Sequence, residues 1–521
     1  MRDGCLAPLG VGDSKDTRCA KSVGRAYQFK LLFKLSSLFP TLSMKRHRVV
    51  ALPRGHYNWW TMRSLSPRPR RRVTFYTAGC RLNQAETAIL IDRFCAKGYE
   101  PVPFGAPTDI LVINSCAVTE QAEADCRRVV RQTLRHSPQA FVAVIGCYAQ
   151  TGVHALQNLP GIDLIVGHQY KLQLPEHLDA LAAIEKQSTP SVVHTRRIEH
   201  QEFVVDGTGA YSTTRANVKI QDGCQFMCAF CLIPFARGRE RSRALDDIIR
   251  EATALAERGH RELVLTGVNI GQYCTGQADL LSVIRRLETI PGIERIRISS
   301  IEPTTIPDGL FEHMASSSKV CRHLHVPLQS GDDRILKAMN RRYTVRDYQR
   351  EIERAVSLIP DLCVGTDILV GFPGEGEQEF KNSVAAAHDL PFAYVHVFPY
   401  SKRPGTAAAR LSETVSSSVI KHRSRELNHL SRQKRQAFYR RCLGQRVSVL
   451  FETQQTTGLW VGFTDHYVRV GVVSSANLAN TIHEVIVTGI MEEMVLGELV
   501  ATGHPQEAAH RASIERVVSA I

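Results

Sequence analysis

From residue 72 onward, short apolar runs alternate with stretches whose apolar residues recur every three or four positions. The apolar runs predict strands and the amphipathic stretches predict helices. Such alternation is typical of parallel sheets, so residues 72–185 are predicted to form a doubly wound parallel sheet domain. Its strands are predicted at Val73–Thr77, Asp109–Asn114, Phe141–Ile145 and Asp163–Gly167, with helices at 83–97 and about 119–135.

A second domain is predicted at 214–441, after a polar stretch at 186–213 that we interpret as a linker or irregular hairpin. Strand–helix units recur about every 30 to 40 residues. Six units favour an open (β/α)6 barrel, in which active groups gather at the carboxyl ends of the strands. The strands are predicted at Ala216–Ile220, Glu262–Thr266, Arg295–Ser299, His323–Pro327, Leu362–Leu369 and Tyr394–Phe398, with helices that include Asp246–Arg258, Asp279–Glu288 and Val345–Leu358.

The barrel domain ends in a long helical stretch, Ser412 to Arg441, which carries many Lys and Arg residues and few Glu. This excess indicates either a solvated face or a phosphate-contact surface, with equal weight. Residues 442–504 hold five short alternating strands, which predict a small β-barrel of the kind that often binds single-stranded nucleic acid. Trp460, Phe463, Tyr467 and Arg469 are candidates for base stacking or phosphate contact there, or they fill a small core.

Composition changes this picture at the ends of the chain. The formal net charge is +14, but residues 1–72 hold 16 Lys and Arg against 3 Asp, so the remainder is nearly neutral. We interpret 1–71 as a basic, disordered extension, with Met62 as an alternative start and an RNA-binding arm as the other possibility. Residues 505–521 are interpreted as a tail. No uncharged apolar run reaches the length of a transmembrane helix, so no membrane association is expected.

The most informative chemistry lies in Cys224, Cys228 and Cys231, spaced C-x3-C-x2-C directly after the first predicted barrel strand. Thiolates select zinc or iron–sulfur clusters. Three ligands do not complete a tetrahedral structural zinc site, but they suit a 4Fe-4S cluster with one iron left open. The alternative is three buried structural thiols. Cluster-forming cysteines need a reducing compartment, so a cytoplasmic location is expected.

A second group of thiols is predicted in the N-terminal domain. Cys80, Cys116 and Cys147 each follow the carboxyl end of a predicted strand. Ligands of open parallel sheets bind outside those ends, so three strands could present three thiolates to one point. The spacing supports a second 4Fe-4S cluster and structural cysteines equally well.

Polar residues follow the barrel strands in the same way, and we predict that several of them bind a cofactor at the barrel mouth. The glycine of the Thr266-Gly267 turn is expected to let a ligand approach the backbone. We expect His323 and His325 to alternate in direction, so that at most one faces inward, and we interpret either as a core histidine. The predicted cofactor-binding residues are Phe230, Thr266, Gly267, Ser299, Glu302, Gln329 and Asp367.

These motifs together resemble the radical S-adenosylmethionine (SAM) methylthiotransferases. The resemblance covers about residues 72–503, and the C-terminal barrel resembles the TRAM domain, an RNA-binding module. Arg81 stands where the family usually has Lys, a change that keeps the charge. The matching segments are Ala78–Asn83, Asn114–Thr119, Gly146–Gln150, Cys224–Cys231 and Pro327–Gly331.

The resemblance implies two 4Fe-4S clusters and SAM as cofactors. The cluster on Cys224, Cys228 and Cys231 would reduce SAM to a 5′-deoxyadenosyl radical that takes the hydrogen from C2 of an adenine. The cluster on Cys80, Cys116 and Cys147 would supply the sulfur, methylated by a second SAM. The implied partners are the tRNA anticodon stem-loop, a reducing electron donor and a sulfur donor. The residues expected to contact RNA are Arg432, Arg435, Trp460 and Arg469.

Subgroup motifs favour one substrate within the family. The runs Pro234–Arg243, Leu265–Tyr273 and His396–Ser401 resemble the bacterial group that modifies N6-threonylcarbamoyladenosine at position 37 of tRNA. Two other groups modify isopentenyladenosine in tRNA or an aspartate of a ribosomal protein, and both remain alternatives. A further alternative is a non-catalytic, RNA-binding Fe–S sensor, which would bind clusters and RNA without cleaving SAM.

Overall fold

A computed structural model describes residues 71–117, 120–181, 183–205, 207–209 and 213–500. These residues belong to one compact unit, which spans Pro67–Ile521. The predicted basic extension, apart from Arg71, and the predicted tail lie outside the described residues. Over the described part of the chain, every helix is too short or too polar to span a membrane.

The first domain is a parallel sheet between two layers of helices. Alternate residues of its central strands enter two separate cores: Leu111 and Ile113 pack on one side, and Ile110 and Val112 pack on the other. Both faces of the sheet are therefore covered, as in other parallel sheets. The elements are β1 (Arg72–Thr77), α1 (Arg81–Ala96), β2 (Glu100–Pro101), β3 (Ile110–Ser115), α2 (Glu120–His136), β4 (Phe141–Gly146), α3 (Cys147–Thr151), α4 (Val153–Gln157), β5 (Leu164–Val166), α5 (Leu174–Asp179) and β6 (Ser191–Val193).

The strand order is β2–β1–β3–β4–β5–β6, which confirms the predicted doubly wound sheet. The order reverses between β1 and β3, where open sheets of this kind bind ligands. The interpretation of 186–213 as a linker was wrong in part. Ser191–Val193 pairs in parallel with β5, with Val192 opposite Ile165, because this short apolar run completes the sheet edge.

The second domain is the predicted open barrel. It contains β7 (Arg215–Lys219), β8 (Gln221–Asp222), α6 (Ile233–Arg237), β9 (Arg241–Ser242), α7 (Leu245–Glu257), β10 (Glu262–Thr266), β11 (Cys274–Thr275), β12 (Ala278–Asp279), α8 (Leu280–Glu288), β13 (Arg295–Ile298), α9 (Leu310–Ser316), β14 (His323–His325), α10 (Asp333–Ala338), α11 (Val345–Leu358), β15 (Cys363–Val370), α12 (Glu377–Asp389), β16 (Tyr394–Pro399) and α13 (Ser417–Cys442).

Six parallel strands of this domain stand in chain order. They form the sheets β7–β10–β13 and β14–β15–β16. Single bridges from Ile296 to Val320 and from Ser300 to His325 join the two sheets. Among the described residues no pairing joins β16 to β7, so one side of the barrel is open. Helix α1 of the first domain packs against β7, which borders this opening, and against β10.

Helix α13 and the C-terminal domain follow. The helix begins at Ser417 rather than at Ser412, because the Ser416 side chain accepts a hydrogen bond from Val419 N and caps it. The last five strands, β17 (Arg446–Gln454), β18 (Leu459–Thr464), β19 (Arg469–Val473), β20 (Ile482–Met491) and β21 (Met494–Leu499), close into a barrel in the order β17–β18–β19–β21–β20. The predicted small β-barrel is confirmed.

The small barrel packs against the amino-terminal end of the large barrel and covers it. Arg295 donates hydrogen bonds to the carbonyl oxygens of Phe463 and Ser448, at 2.9 and 2.8 Å. Arg297 donates to those of Asp465 and Thr464, at 2.8 and 3.1 Å. These contacts leave the carboxyl-terminal mouth as the accessible end of the large barrel.

Candidate active site

Cys80, Cys116 and Cys147 meet at the carboxyl edge of the first sheet. They follow three neighbouring strands, and Ser115 pairs with Gly146, which places the next residues, Cys116 and Cys147, side by side. A Cβ atom on Gly79 would lie 3.0 Å from Cys116 Cβ, so the chain just before Cys80 passes close to Cys116. The Cys80 side chain is exposed, whereas the other two are buried. The three cysteines therefore lie at one edge of the sheet, and their role as cluster ligands stays a prediction.

Asn83 holds the strand ends around these thiols. Its Nδ2 donates to Ser115 O and to Asn114 Oδ1, both at 3.2 Å, and its Oδ1 lies 3.4 Å from Cys80 Sγ. Gly146 is required beside them, because its φ is +94° and a Cβ there would lie 2.5 Å from Ser115 O. The backbone geometry of this edge therefore depends on two residues that are not themselves ligands.

Cys224, Cys228 and Cys231 lie on a tight loop at the mouth of the large barrel. Each sulfur accepts one hydrogen bond: Cys224 from Phe226 N at 3.5 Å, Cys231 from Ile233 N at 3.4 Å and Cys228 from Arg341 Nη1 at 3.3 Å. Donors of this kind stabilise negative sulfur and tune iron–sulfur clusters.

The three loop thiols are neutral when no metal is bound. Burial raises the pKa of Cys224 to about 11 and that of Cys231 to about 12, and it also raises the pKa of Cys228. A metal binds thiolates, so cluster assembly must displace these protons.

Arg237 connects the two thiol groups. It ends α6, the five-residue helix that begins two residues after Cys231, and its side chain is 1% exposed. Its Nη2 donates to Asn83 Oδ1 at 2.7 Å, and Asn83 contacts Cys80. The pKa of Arg237 is raised well above its usual value: burial lowers it, but the nearby Cys147, Glu86, Asp222 and Cys80 outweigh burial.

The charges around Arg237 form a buried cluster. Its Nη1 lies 2.9 Å from Glu86 and 3.0 Å from Asp222. Lys219 bridges the same two carboxylates at 2.9 and 2.6 Å, and Lys171 lies 2.6 Å from Glu86. Burial alone would raise the carboxyl pKa values, but the cations hold the pKa of Glu86 and of Asp222 well below their usual values. The cluster fixes the first sheet, the barrel and the thiol loop relative to one another.

The barrel mouth beside the loop contains polar atoms that lack protein partners. The Ser299 hydroxyl and the Asn269 amide nitrogen are both buried without a hydrogen-bond partner. Glu302 forms an ion pair with Arg341, the residue that also contacts Cys228. Burial raises the pKa of Glu302 although Arg341 opposes it. These groups can receive the polar ends of a ligand that reaches the thiol loop.

Other predicted cofactor residues have internal partners. Phe230 packs against the apolar cluster below the loop, and Thr266 O accepts from Ile220 N at 2.9 Å. Gly267 was expected to let a ligand approach the backbone, and the structure does not support this reason. The Gln221 side chain occupies the space beside Gly267 and accepts from the backbone nitrogens of the next two residues, so these nitrogens are not open to a ligand.

A polar chain runs up the interior of the large barrel. The Tyr394 hydroxyl lies 2.9 Å from His323 Nε2 and 3.3 Å from His325 Nδ1, and His325 Nε2 lies 2.8 Å from Asp367 Oδ1. The expectation that at most one histidine faces inward was wrong, because residues two apart lie on the same face of a strand. Gln329, with φ of +71°, bonds through its backbone to β15 at the top of this chain.

Two family models match the chain: the Radical SAM superfamily over residues 218–387, and the model described as uncharacterized protein family UPF0004 over residues 72–167. A threonylcarbamoyladenosine tRNA methylthiotransferase MtaB of Bacillus subtilis is 36% identical over 76% of this chain and 89% of its own. That of Aquifex aeolicus is 37% identical over 73% and 92%. A tRNA-2-methylthio-N(6)-dimethylallyladenosine synthase of Cereibacter sphaeroides is 34% identical over 82% and 98%.

The chain belongs to the radical SAM methylthiotransferase family. Its cofactors are two 4Fe-4S clusters and SAM. The donor sets fit this assignment: each thiol group offers three sulfurs to a cluster, and the mouth beside Cys224–Cys231 offers the unpartnered polar atoms of Ser299 and Asn269 to SAM.

The residues predicted to contact RNA in this methylthiotransferase differ in accessibility. Arg432 is exposed on α13. Arg435 lies over the Tyr394 ring. Both of these residues and Arg469 line one cavity of about 190 Å³. Trp460 is 7% exposed within the small barrel's core, so its ring has no free face for a base, which corrects that prediction. Phe463 and Tyr467 stack on each other towards the large barrel.

Sequence reasoning missed three residues that organise the methylthiotransferase site: Asn83, Arg237 and Arg341. Asn83 and Arg237 lie within segments that carried the family resemblance, but no spacing rule connects them, because 154 positions separate the two in the chain. Arg341 follows Asn340, whose side chain donates to the carbonyls of Phe226 and Met227 in the thiol loop. A polar pair such as Asn-Arg after a short helix carries no signal of that contact.

Proposed function

We propose that this protein is a radical SAM methylthiotransferase that converts N6-threonylcarbamoyladenosine at position 37 of tRNA to its 2-methylthio derivative. The observation that carries the proposal is the joining of two three-cysteine groups through α6, Arg237 and Asn83. Sulfur insertion needs both groups near one substrate, and α6 connects them, because Ile233 at its start contacts Cys231 and Arg237 at its end contacts Asn83.

When bound, the cofactors would supply the difficult chemistry: SAM and the cluster held by Cys224, Cys228 and Cys231 would provide for removal of the C2 hydrogen, and the cluster held by Cys80, Cys116 and Cys147 would provide the sulfur. The side chains position these groups. Arg341 donates to Cys228 and pairs with Glu302, which orients the loop against the barrel mouth. Asn83 and Gly146 keep the first sheet's edge in shape, and exposed Cys80 faces the accessible side.

The adenosine must leave its stack to enter the site, which is easiest in a single-stranded anticodon loop. Exposed Arg432 on α13, together with Arg435 and Arg469, supports a phosphate-contact surface near the small barrel, which we interpret as a TRAM-like RNA-binding module. An electron donor must reduce the Cys224–Cys231 cluster, and a sulfur donor must replace the sulfur that is consumed. Thiols that assemble clusters need a reducing environment, which supports a cytoplasmic location for the reaction.

Mass analysis of tRNA nucleosides tests the proposal. A strain that lacks the protein should lose 2-methylthio-N6-threonylcarbamoyladenosine and accumulate its precursor, and the wild-type gene should restore the product. An unchanged level of this nucleoside would reject the substrate assignment. Loss of the methylthio form of isopentenyladenosine instead would favour the second tRNA group.

A further inference from the structure

A polar cavity of about 290 Å³ lies at the start of α1, whose first residue, Arg81, follows Cys80 in the chain. Arg81 and Gln84 line it from the first turn of α1, immediately after Cys80. Arg215 and Asn217 line it from β7, and Tyr467 closes it from the small barrel. All three domains therefore contribute to its wall, and its position next to a cluster ligand suits a part of the substrate.

The cavity carries one uncompensated positive charge. Its only carboxylate among the described lining residues is Glu452, which lies 2.6 Å from Arg215 and is committed to it. Arg81 forms no ion pair with any carboxylate of the described residues. It donates to the Tyr467 hydroxyl at 2.8 Å, with its guanidinium 5.6 Å from that ring's centroid. A guanidinium that is partly buried beside a neutral partner favours an incoming anion.

The neutral groups of the wall complete a set of hydrogen-bonding partners. Gln84 and Asn217 present amides, with Asn217 Nδ2 3.5 Å from Gln84 Oε1, and the threonines Thr213, Thr214 and Thr453 also line the cavity. Amides and hydroxyls both donate and accept. An occupant with a carboxylate, a hydroxyl and a urea-like group would match this wall.

The threonylcarbamoyl substituent has these three groups. It is attached at N6 of adenine, and the carbons that carry N6 and the incoming sulfur, C6 and C2, both flank N1. The substituent must therefore lie close to the sulfur-carrying cluster when C2 faces it. The cavity lined by Arg81, one residue after Cys80, suits that requirement.

We propose that this cavity binds the threonylcarbamoyl group of the substrate and that Arg81 pairs with its carboxylate, which makes Arg81 a specificity-determining residue. The proposal rests on the proposed function and adds the reason for its substrate. An occupant without a carboxylate would exclude water from Arg81 without supplying an anion, and desolvating a charge without a partner is unfavourable.

Binding of two anticodon stem-loops to the cluster-loaded protein, without reductant, tests this directly. One carries threonylcarbamoyladenosine, and the other carries the same nucleoside with its carboxylate converted to a carboxamide. Wild type should bind the carboxylate form about 10- to 100-fold more tightly, the range expected for one hydrogen-bonded charge pair. Arg81→Met should bind both forms equally, and Arg81→Lys should keep most of the preference.

Three controls separate binding from structure. Iron content should stay unchanged in the Arg81 variants. Tyr467→Phe removes only the contact between Arg81 and the hydroxyl, so it should keep the preference if the charge acts on the ligand. Arg350→Met, an exposed arginine on α11, should behave as wild type.

The failures are distinct. If wild type binds both stem-loops equally, or if Arg81→Met keeps the preference, the cavity assignment is wrong even when wild type forms the methylthio product. If Tyr467→Phe abolishes the preference as fully as Arg81→Met, Arg81 acts through domain packing and the assignment is also wrong. If wild type forms no product from the natural tRNA, the proposed function itself fails.

Discussion

Arg237 shows how a single side chain positions two distant groups of cysteines. It is completely buried, and it satisfies Glu86 from the first domain, Asp222 from the barrel and Asn83 beside Cys80. Burying a charge is costly unless it is paired and hydrogen-bonded, and here each carboxylate meets several cations. Removing one cation leaves the remaining buried charges unbalanced.

Replacing Arg237 with Met should therefore lower the free energy of unfolding by about 3–5 kcal/mol, the usual cost of breaking a buried ion pair. Anaerobic denaturation of the purified protein measures it. Arg237→Lys should lose less, because it retains the charge. Arg239→Met is the matched control, since that arginine is exposed two residues further on, and a change of more than about 0.5 kcal/mol there would contradict the account.

His168 provides a pH-dependent prediction at the same scale. Its Nε2 lies 2.8 Å from Asp222, and its Nδ1 lies 3.0 Å from the Lys171 ammonium, so the neutral ring donates to one and accepts from the other. Burial, followed by Lys171, lowers the pKa of His168 to about 3.

In the unfolded chain His168 binds a proton once the pH falls below about 6.5. In the folded protein His168 binds this proton only near pH 3. The contribution of His168 to stability is therefore lost as pH falls through that window, by about 1.4 kcal/mol between pH 7.5 and 5.5. The glutamine of His168→Gln keeps a donor and an acceptor but does not titrate. Between pH 7.5 and 5.5 the free energy of unfolding should therefore fall by about 1.4 kcal/mol less in this variant than in wild type, as measured by urea denaturation. Exposed His388→Gln should show the wild-type dependence, and equal slopes for all three proteins would contradict the assignment.

At the scale of elements, parallel register brings the first thiol group together. The strands β1, β3 and β4 are neighbours and end level with one another, since Thr77 pairs with Asn114 and Ser115 with Gly146. Three chain segments that are far apart in sequence therefore place their next residues at one edge. The second group needs no register, because all its ligands lie on one loop.

The two groups should load iron independently. Changing Cys80, Cys116 and Cys147 together to Ala should roughly halve the iron content per chain, because each group is predicted to hold one 4Fe-4S cluster. The variant should still cleave SAM to 5′-deoxyadenosine, since Cys224, Cys228 and Cys231 are intact. Cys95→Ala, an exposed cysteine on α1, is the control and should bind iron as wild type. Unchanged iron in the triple variant would reject the second cluster.

At the scale of the whole molecule, the small barrel contributes contacts that stabilise the large barrel. Arg295 and Arg297 of β13 donate to four of its carbonyl oxygens, and Arg322 lies 2.6 Å from Asp465. The large barrel's strand ends would lose these partners if the small barrel were absent, and unsatisfied buried donors are costly.

A chain truncated after Gly444 should therefore be less stable and bind a dye for exposed apolar surface, beyond any loss of tRNA affinity. Thermal unfolding and dye fluorescence measure the two effects. Arg432→Ala should weaken tRNA binding and its salt dependence while leaving thermal stability unchanged, because that side chain is exposed. A truncated protein as stable as the full chain would show that the small barrel is a detachable module.

The sequence by itself determined the elements and the positions of the candidate cysteine ligands. Period-two and helical patterns are local, so all six strands of the large barrel were predicted to within one or two residues at each end. A C-x3-C-x2-C loop and cysteines after strands are local as well. The short strand Ser191–Val193 was missed, because its apolar run is too brief to stand out until β5 pairs with it.

Only the tertiary structure decided which side chains meet. Arg237 joins Asn83 across 154 positions, Arg81 reaches Tyr467 across 386, and Trp460 turns into a core rather than towards RNA. Each of these contacts depends on how separate elements pack, and packing is a property of surfaces that are distant in the chain. The local sequence pattern therefore determined which reactive side chains the protein has. The packing of the elements determined which of these side chains lie together.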